Sequence, residues 1–376
     1  MTRPVHRISG FFLTSKGVRF GELCHQGGTF ISMTAEPRTP DARDDMFLPG
    51  FVDLHAGGFD VIQGERAGVD RSLHRNLLHH DALMAAAGIT TGLTTVALDN
   101  LENDGTAIER AIEAIDLLKE AISSEGLRSR HMIHLRCELT DDGVLEAALP
   151  IIETYRDQIA VVSAMDHSCG RRQFRSREKW REAVAARLRH DQGRIAAAFT
   201  MRAEAAVTLY WQRAAELAAS ARYYGVRFMT HDDATAQDVK RSHALGSQLC
   251  EFPTTLEAAS AAAGLGLPVL AGAPNFVRGE SYVGNVSVRD LHAASALSIL
   301  SYDYAPFSLI EAAAKLFDLG DAQSIGRFLS GEAGRFLGLP IDDGLQAGQP
   351  ADFIRVQQRG GTARVVETWR GGQRVA

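Results

Sequence analysis

Leu48-Pro49-Gly50-Phe51-Val52-Asp53-Leu54-His55 is the stretch at which the chain changes character. Before it, short alternating segments (Arg7–Leu13, Val18–Leu23, Gly28–Met33) are divided by Gly, Lys and Pro and read as small antiparallel strands. After it, short apolar runs alternate with long Ala-rich helical segments. The strand candidates are Phe51–Leu54, Gly92–Leu98, His131–Cys137, Ile159–Met165, Val226–Thr230, Gln248–Phe252, Pro268–Ala271 and Leu297–Ser301. Between them lie helical stretches such as Gly105–Ser123, Ser176–Arg189, Glu204–Tyr224 and Thr254–Gly264. Strand–helix alternation repeated about eight times predicts a parallel α/β fold, and a closed (β/α)8 barrel fits both the count and the size. The unit between Met165 and Val226 is overlong, and Arg194–Thr200 is a candidate for another strand inside it. The alternating pattern returns at Ala351–Val356 and Ala363–Trp369. A doubly wound open sheet is the competing architecture, but no GxGxxG follows an early strand.

Composition narrows the function. Of 376 residues, 45% are hydrophobic and 23% charged, which is ordinary for a globular enzyme. The formal net charge of −6 argues against a nucleic-acid binder, which needs a basic face. Four scattered cysteines (Cys24, Cys137, Cys169, Cys250) form no CxxC pair, and no apolar run reaches the roughly 20 residues of a membrane span. The expectation is a cytoplasmic enzyme with a small-molecule substrate and a homo-oligomeric state, not engaged with membrane or nucleic acid.

In a (β/α)8 barrel, chemistry gathers at the C-terminal ends of the strands. Here the first strand ends in His55, the third in Glu138, and the fourth in Asp166-His167. The strand starting at Val226 ends in His231, and the last in Asp303. Taken singly, such a histidine is more often a buried, satisfied side chain, and such an acid more often a turn former or helix cap. As a set they fall at one end of one barrel. Imidazole and carboxylate suit a divalent ion, zinc first and manganese or iron next. His74, His79 and His80 lie in a helical stretch and read as surface or supporting residues; His190, His243 and His292 read as ordinary ones.

Residues 48–55 also resemble the strand-one motif of the amidohydrolase superfamily, and Gly348-Gln349-Pro350-Ala351-Asp352-Phe353 resembles that superfamily's return into a small β-sandwich. The resemblance implies a split small domain (1–50 with 340–376) beside a barrel (51–339). Further segments are similar to the phosphonate-pathway diphosphatases within the superfamily. They include His134–Leu139, Met165-Asp166-His167, His231-Asp232-Asp233, Glu251–Ala259, Gly272-Ala273-Pro274-Asn275, Gly284-Asn285-Val286-Ser287 and Leu300–Tyr304. This implies a hydrolase using metal-activated water to cleave within a triphosphate and release diphosphate. Glu138 would replace the carboxylated lysine of other relatives, His167 and His231 would hold the same ion, and Asp303 would take the proton of the attacking water. Arg172 and Arg278 would face an anionic, phosphorylated substrate, with Asn275 and Asn285 adding amide donors.

Two departures stand out. Where relatives carry His-x-His or His-x-Asp, this chain reads His55-Ala56-Gly57-Gly58, followed by an apolar loop at Phe59-Asp60-Val61-Ile62. Ser281-Tyr282-Val283-Gly284-Asn285 carries Tyr282 where a pocket histidine is usual. The loss at Gly57 predicts one ion rather than two. The changed pocket leaves two alternatives: a C–N hydrolase of the deaminase, deacetylase or cyclic-amidase kind, and a non-catalytic binding subunit.

Overall fold

The computed structural model describes residues 4–41, 44–59, 72–101, 106–124, 126–188, 190–204, 207–359 and 362–376. Residues 60–62 of the apolar loop noted above lie outside these.

Eight parallel strands run in order around one sheet: β5 (Phe51–Ala56), β6 (Ile89–Leu98), β7 (Arg130–Glu138), β8 (Ile159–Met165), β9 (Arg227–His231), β10 (Cys250–Glu251), β11 (Val269–Gly272) and β12 (Ile299–Ser301). All eight sequence-predicted barrel strands are present. The first and last meet through a parallel bridge, Ala56 to Asp303. Asp53 fastens that seam: its carboxylate accepts from the Ser301 hydroxyl at 2.7 Å, the Tyr302 amide at 2.7 Å and the His55 amide at 2.8 Å. The buried aspartate of the opening stretch therefore closes the barrel.

Strand patterns explain which residues face inward. On β7, Leu135 and Cys137 pack in the apolar layer between barrel and helices, together with Ala114 and Leu118 of α2 (Thr106–Ser123). The alternation of a strand then turns His134, Arg136 and Glu138 the other way, towards the barrel axis. Below them Val52, Leu54, Leu93, Val161 and Met229 pack into a separate apolar cluster.

The expected strand within Arg194–Thr200 is instead part of a helix, α5 (Gln192–Glu204). Ile195 and Ala198, three residues apart, are both buried, a spacing that puts them on one helical face. They pack with Trp180 and Val184 of the preceding α4 (Arg177–Arg187) and with Phe174. The overlong unit after β8 is thus a helical insertion. Its Trp180 indole donates to the His167 carbonyl at 2.9 Å.

The chain ends build a second, seven-stranded sheet. From the N-terminal side come β1 (His6–Thr14), β2 (Gly17–Gln26), β3 (Thr29–Glu36) and β4 (Met46–Pro49). From the C-terminal side come β13 (Phe353–Arg359), β14 (Thr362–Arg370) and β15 (Gln373–Arg374). The halves join where β4 runs antiparallel to β13, Leu48 opposite Ile354. Phe12, Phe30, Phe47 and Phe353 fill its core. Gly50 links the two sheets and has no room for more: a Cβ there would lie 2.4 Å from the Thr90 side chain.

Candidate metal centre and active-site cavity

Three turns that leave barrel strands adopt a backbone that L side chains rarely take. Asp232 after β9, Phe252 after β10 and Asp303 after β12 have φ of 59°, 50° and 57°. Such left-handed residues cost roughly 1–3 kcal/mol each and cluster at functional sites.

The histidines and acids converge as follows. His55 Nδ1 lies 2.6 Å from Glu251 Oε1, and His231 Nδ1 lies 2.8 Å from Glu251 Oε2. His231 Nε2 is 3.2 Å from Asp232 Oδ2, which is 3.5 Å from His167 Nε2. Among the described residues, two groups with ligand atoms within 4.8 Å of one another result: His55, His231 and Glu251, and His167, His231 and Asp232. His231 belongs to both.

Glu138 belongs to neither group. It is fully buried, accepts from the Thr140 hydroxyl, and lies 2.7 Å from the Nδ1 of His167, so it orients that imidazole from behind. A carboxylate on the far nitrogen fixes which ring nitrogen faces the site. Burial disfavours the charged Glu138, but Arg202 and His167 outweigh it and hold its carboxyl well below the usual range. In the same way burial opposes a charged His167, while Glu138 and Asp232 raise it to about 9.

Glu251 is the residue that strand-end reading missed. The predicted strand ran on to Phe252 and hid the acid inside it; the observed strand stops at Glu251 itself. Burial again favours the neutral acid, yet His231, His134 and His55 hold Glu251 well below the carboxylate norm.

A divalent ion fits these residues. His231 Nδ1, Glu251 Oε2 and Asp232 Oδ2 are all buried and lie 2.8–3.5 Å from one another's residues or from His167 without hydrogen-bond geometry. Buried ligand-type atoms that crowd together without well-formed hydrogen bonds are costly, and a cation between them relieves the defect. Gly57 adds the converse: a Cβ at this position would sit 3.0 Å from the Asp303 carbonyl oxygen, so a further ligand just past β5 has little room.

Asp303 is drawn to the same place. Burial pushes its carboxyl up, against the opposing pull of His55, Arg136 and His231. It lines a cavity of about 280 Å³ with His55, His167, His231, Asp232 and Arg136. Arg278, Asn275, Asn285 and Tyr282 form part of the outer wall. Asn275 is engaged with backbone, donating to Val286 at 3.2 Å and accepting from Val288 at 3.0 Å; Asn285 donates to Gln173 at 3.2 Å. Arg278 is exposed at the mouth beside the Tyr282 ring.

Arg172 does not line this cavity. It is buried, donates to Asp233 at 2.6 Å and to the His231 carbonyl at 2.8 Å, and stacks 4.5 Å from the centre of the Tyr210 ring. It braces the turn carrying His231. His80 is buried under the barrel wall with Thr94, while His74 and His79 are exposed.

Fold and site together define a barrel hydrolase of the metal-dependent kind. No protein-family model matches the chain. It is 35% identical over 369 residues to α-D-ribose 1-methylphosphonate 5-triphosphate diphosphatase of Escherichia coli K12, covering 94% of this chain and 96% of that protein. The chain belongs to the amidohydrolase superfamily and, within it, to the family of that diphosphatase. Its fold is that of N-acetyl-D-glucosamine-6-phosphate deacetylase from Mycobacterium smegmatis (TM-score 0.64, 14% identity, 100% of both chains). It is likewise that of 5-methylcytosine deaminase from Klebsiella pneumoniae (TM-score 0.64, 14% identity, 99% and 98% of the two chains). Among the described residues, no helix is long and apolar enough to cross a membrane.

Proposed function

We propose that the protein hydrolyses a phosphoric anhydride in a ribose triphosphate, the reaction for which its Escherichia coli relative is named, using one divalent ion. The observation that carries this reading is a cavity that sets two guanidiniums, Arg136 and Arg278, beside the histidine–carboxylate cluster. An uncharged amide needs no such pair of cations, whereas a polyphosphate does. His167, His231 and Asp232, or His55, His231 and Glu251, would hold the ion, with zinc, manganese and iron all compatible with these donors.

A divalent ion held there supplies Lewis acidity and lowers the pKa of water. The chain does the rest. Glu138 fixes the His167 ring, and Asp53 holds the seam from which Asp303 projects. Asp303 accepts a proton as the water oxygen bonds to the first phosphorus; the bridging P–O bond breaks, and the electron pair leaves with diphosphate. The carboxyl then returns its proton to the leaving oxygen, and a 5-phosphate and diphosphate result. A carboxyl raised by burial is suited to that exchange.

The test is to incubate metal-loaded protein with α-D-ribose 1-methylphosphonate 5-triphosphate and follow phosphorus NMR. Diphosphate should appear, with one equivalent of metal per chain. If none forms while cyclic amides or N-acyl sugars are turned over, the enzyme is a C–N hydrolase. If nothing reacts and Asp303→Asn binds ligands as well as the wild type, the site is a binding site.

A further inference from the structure

We infer that Arg136 is the residue that grips the phosphoryl group at the bond to be broken, the inner member of an anion site that continues outward to Arg278. This rests on the anhydride reading above and names the side chain that confers it.

Two buried guanidiniums at this rim of the barrel, Arg202 and Arg172, are already matched. Arg202 donates to Asp141 at 3.0 Å and 2.9 Å and to Asp99 at 2.9 Å. Arg172 is paired with Asp233. Arg136 differs. Among the described residues it forms no ion pair with a carboxylate, its Nε is buried with no hydrogen-bond partner, and its Nη2 reaches only His231 Nε2, at 3.4 Å.

An arginine cannot relieve this by losing its proton, so a guanidinium turned into a partly enclosed cavity calls for an anion from outside. The geometry points to which part of the anion. Arg136 sits on β7 two residues before Glu138, its Nη2 3.4 Å from His231 Nε2, and it lines the cavity with Asp303. Both the residue proposed to take the water's proton and the shared ligand histidine are therefore its neighbours. Its planar fork can take two oxygens of one phosphoryl group, which a lysine cannot. Arg278 stands at the mouth, where only the distal part of a long anion would reach it.

The experiment uses inorganic diphosphate as the probe, titrated calorimetrically into metal-loaded wild type, Arg136→Ala and Arg136→Lys, with metal content measured on each. The same proteins are assayed on the triphosphate. Arg136→Ala should keep its metal equivalent and lose at least tenfold in diphosphate affinity; Arg136→Lys, which keeps the charge without the fork, should recover part of it. Arg136→Lys also guards against a fold that alanine does not sustain. Diphosphate affinity within twofold of wild type in both variants overturns the assignment, and anhydride turnover by the wild type would then leave the reaction standing. Wild-type protein that binds diphosphate through Arg136 but cleaves no anhydride keeps Arg136 as the anion contact and overturns both the reaction and its place at the scissile bond.

Discussion

Two buried polar clusters lie side by side at the C-terminal rim of the barrel, and they are satisfied in opposite ways. In one, Asp99 and Asp141 face Arg202 and Arg187, and these guanidiniums bind both acids with bonds of 2.6–3.0 Å. In the other, His55, His167, His231, Asp232 and Glu251 crowd together, and three of their ligand-type atoms stand close to neighbours without well-formed hydrogen bonds. The first cluster carries its cations in the sequence. The second has carboxylates and imidazoles, and Arg136 at its edge forms no ion pair with its acids among the described residues. A cluster that lacks its own cation is suited to take one from solution.

That contrast can be broken in several ways. The largest effect is expected at the open cluster: Asp303→Asn should lower kcat by up to about 10⁴-fold with bound metal unchanged. Undiminished turnover would take Asp303 out of proton transfer. In the closed cluster the damage should be to stability. Arg202→Ala leaves two buried carboxylates unpaired and should cost about 3–5 kcal/mol in urea denaturation, with no metal able to rescue it. A cost below about 1 kcal/mol would mean that water already reaches these acids.

Metal itself should stabilise the open cluster. At a free concentration a hundredfold above Kd, a divalent ion adds about 2.7 kcal/mol over chelated protein, and the midpoint should follow metal concentration. An unchanged midpoint would contradict a resident ion. The smallest effect concerns His80, which burial and the neighbouring His131 hold down at about 3. Between the ordinary histidine value and about 3, the unfolded chain binds a proton that the folded chain does not, so stability falls as pH falls through that window. His80→Gln should flatten this slope by at most about 1.4 kcal/mol per pH unit. A slope equal to wild type would show that other groups set acid stability.

Much of the site was legible because chemistry sits at strand ends. His55, His167, His231 and Asp303 were singled out by that rule, and all four line one cavity. The rule failed where a strand was drawn one residue too long: Glu251 was hidden in Gln248–Phe252. It gave no direction for Glu138, which turns its carboxylate to the back of His167. Arg172 and Arg136 show the same gap from another side. Both are arginines near active-site motifs, but Asp233 captures the first, and strand alternation turns the second into the cavity.

The sequence by itself determined the repeated strand–helix units, the β-rich ends and the ligand-type residues at strand ends, because period, turn residues and ligand types are local properties of the chain. The joining of the two ends and the class of chemistry followed from its resemblance to the amidohydrolase superfamily. Which atoms meet was decided by tertiary structure. Asp53 lies 248 residues from the Ser301 hydroxyl it accepts from, and Glu251 lies 196 from His55. Contacts across such separations depend on how the barrel closes, and that closure decides which charges are matched inside the protein and which stay open to an ion or a phosphate.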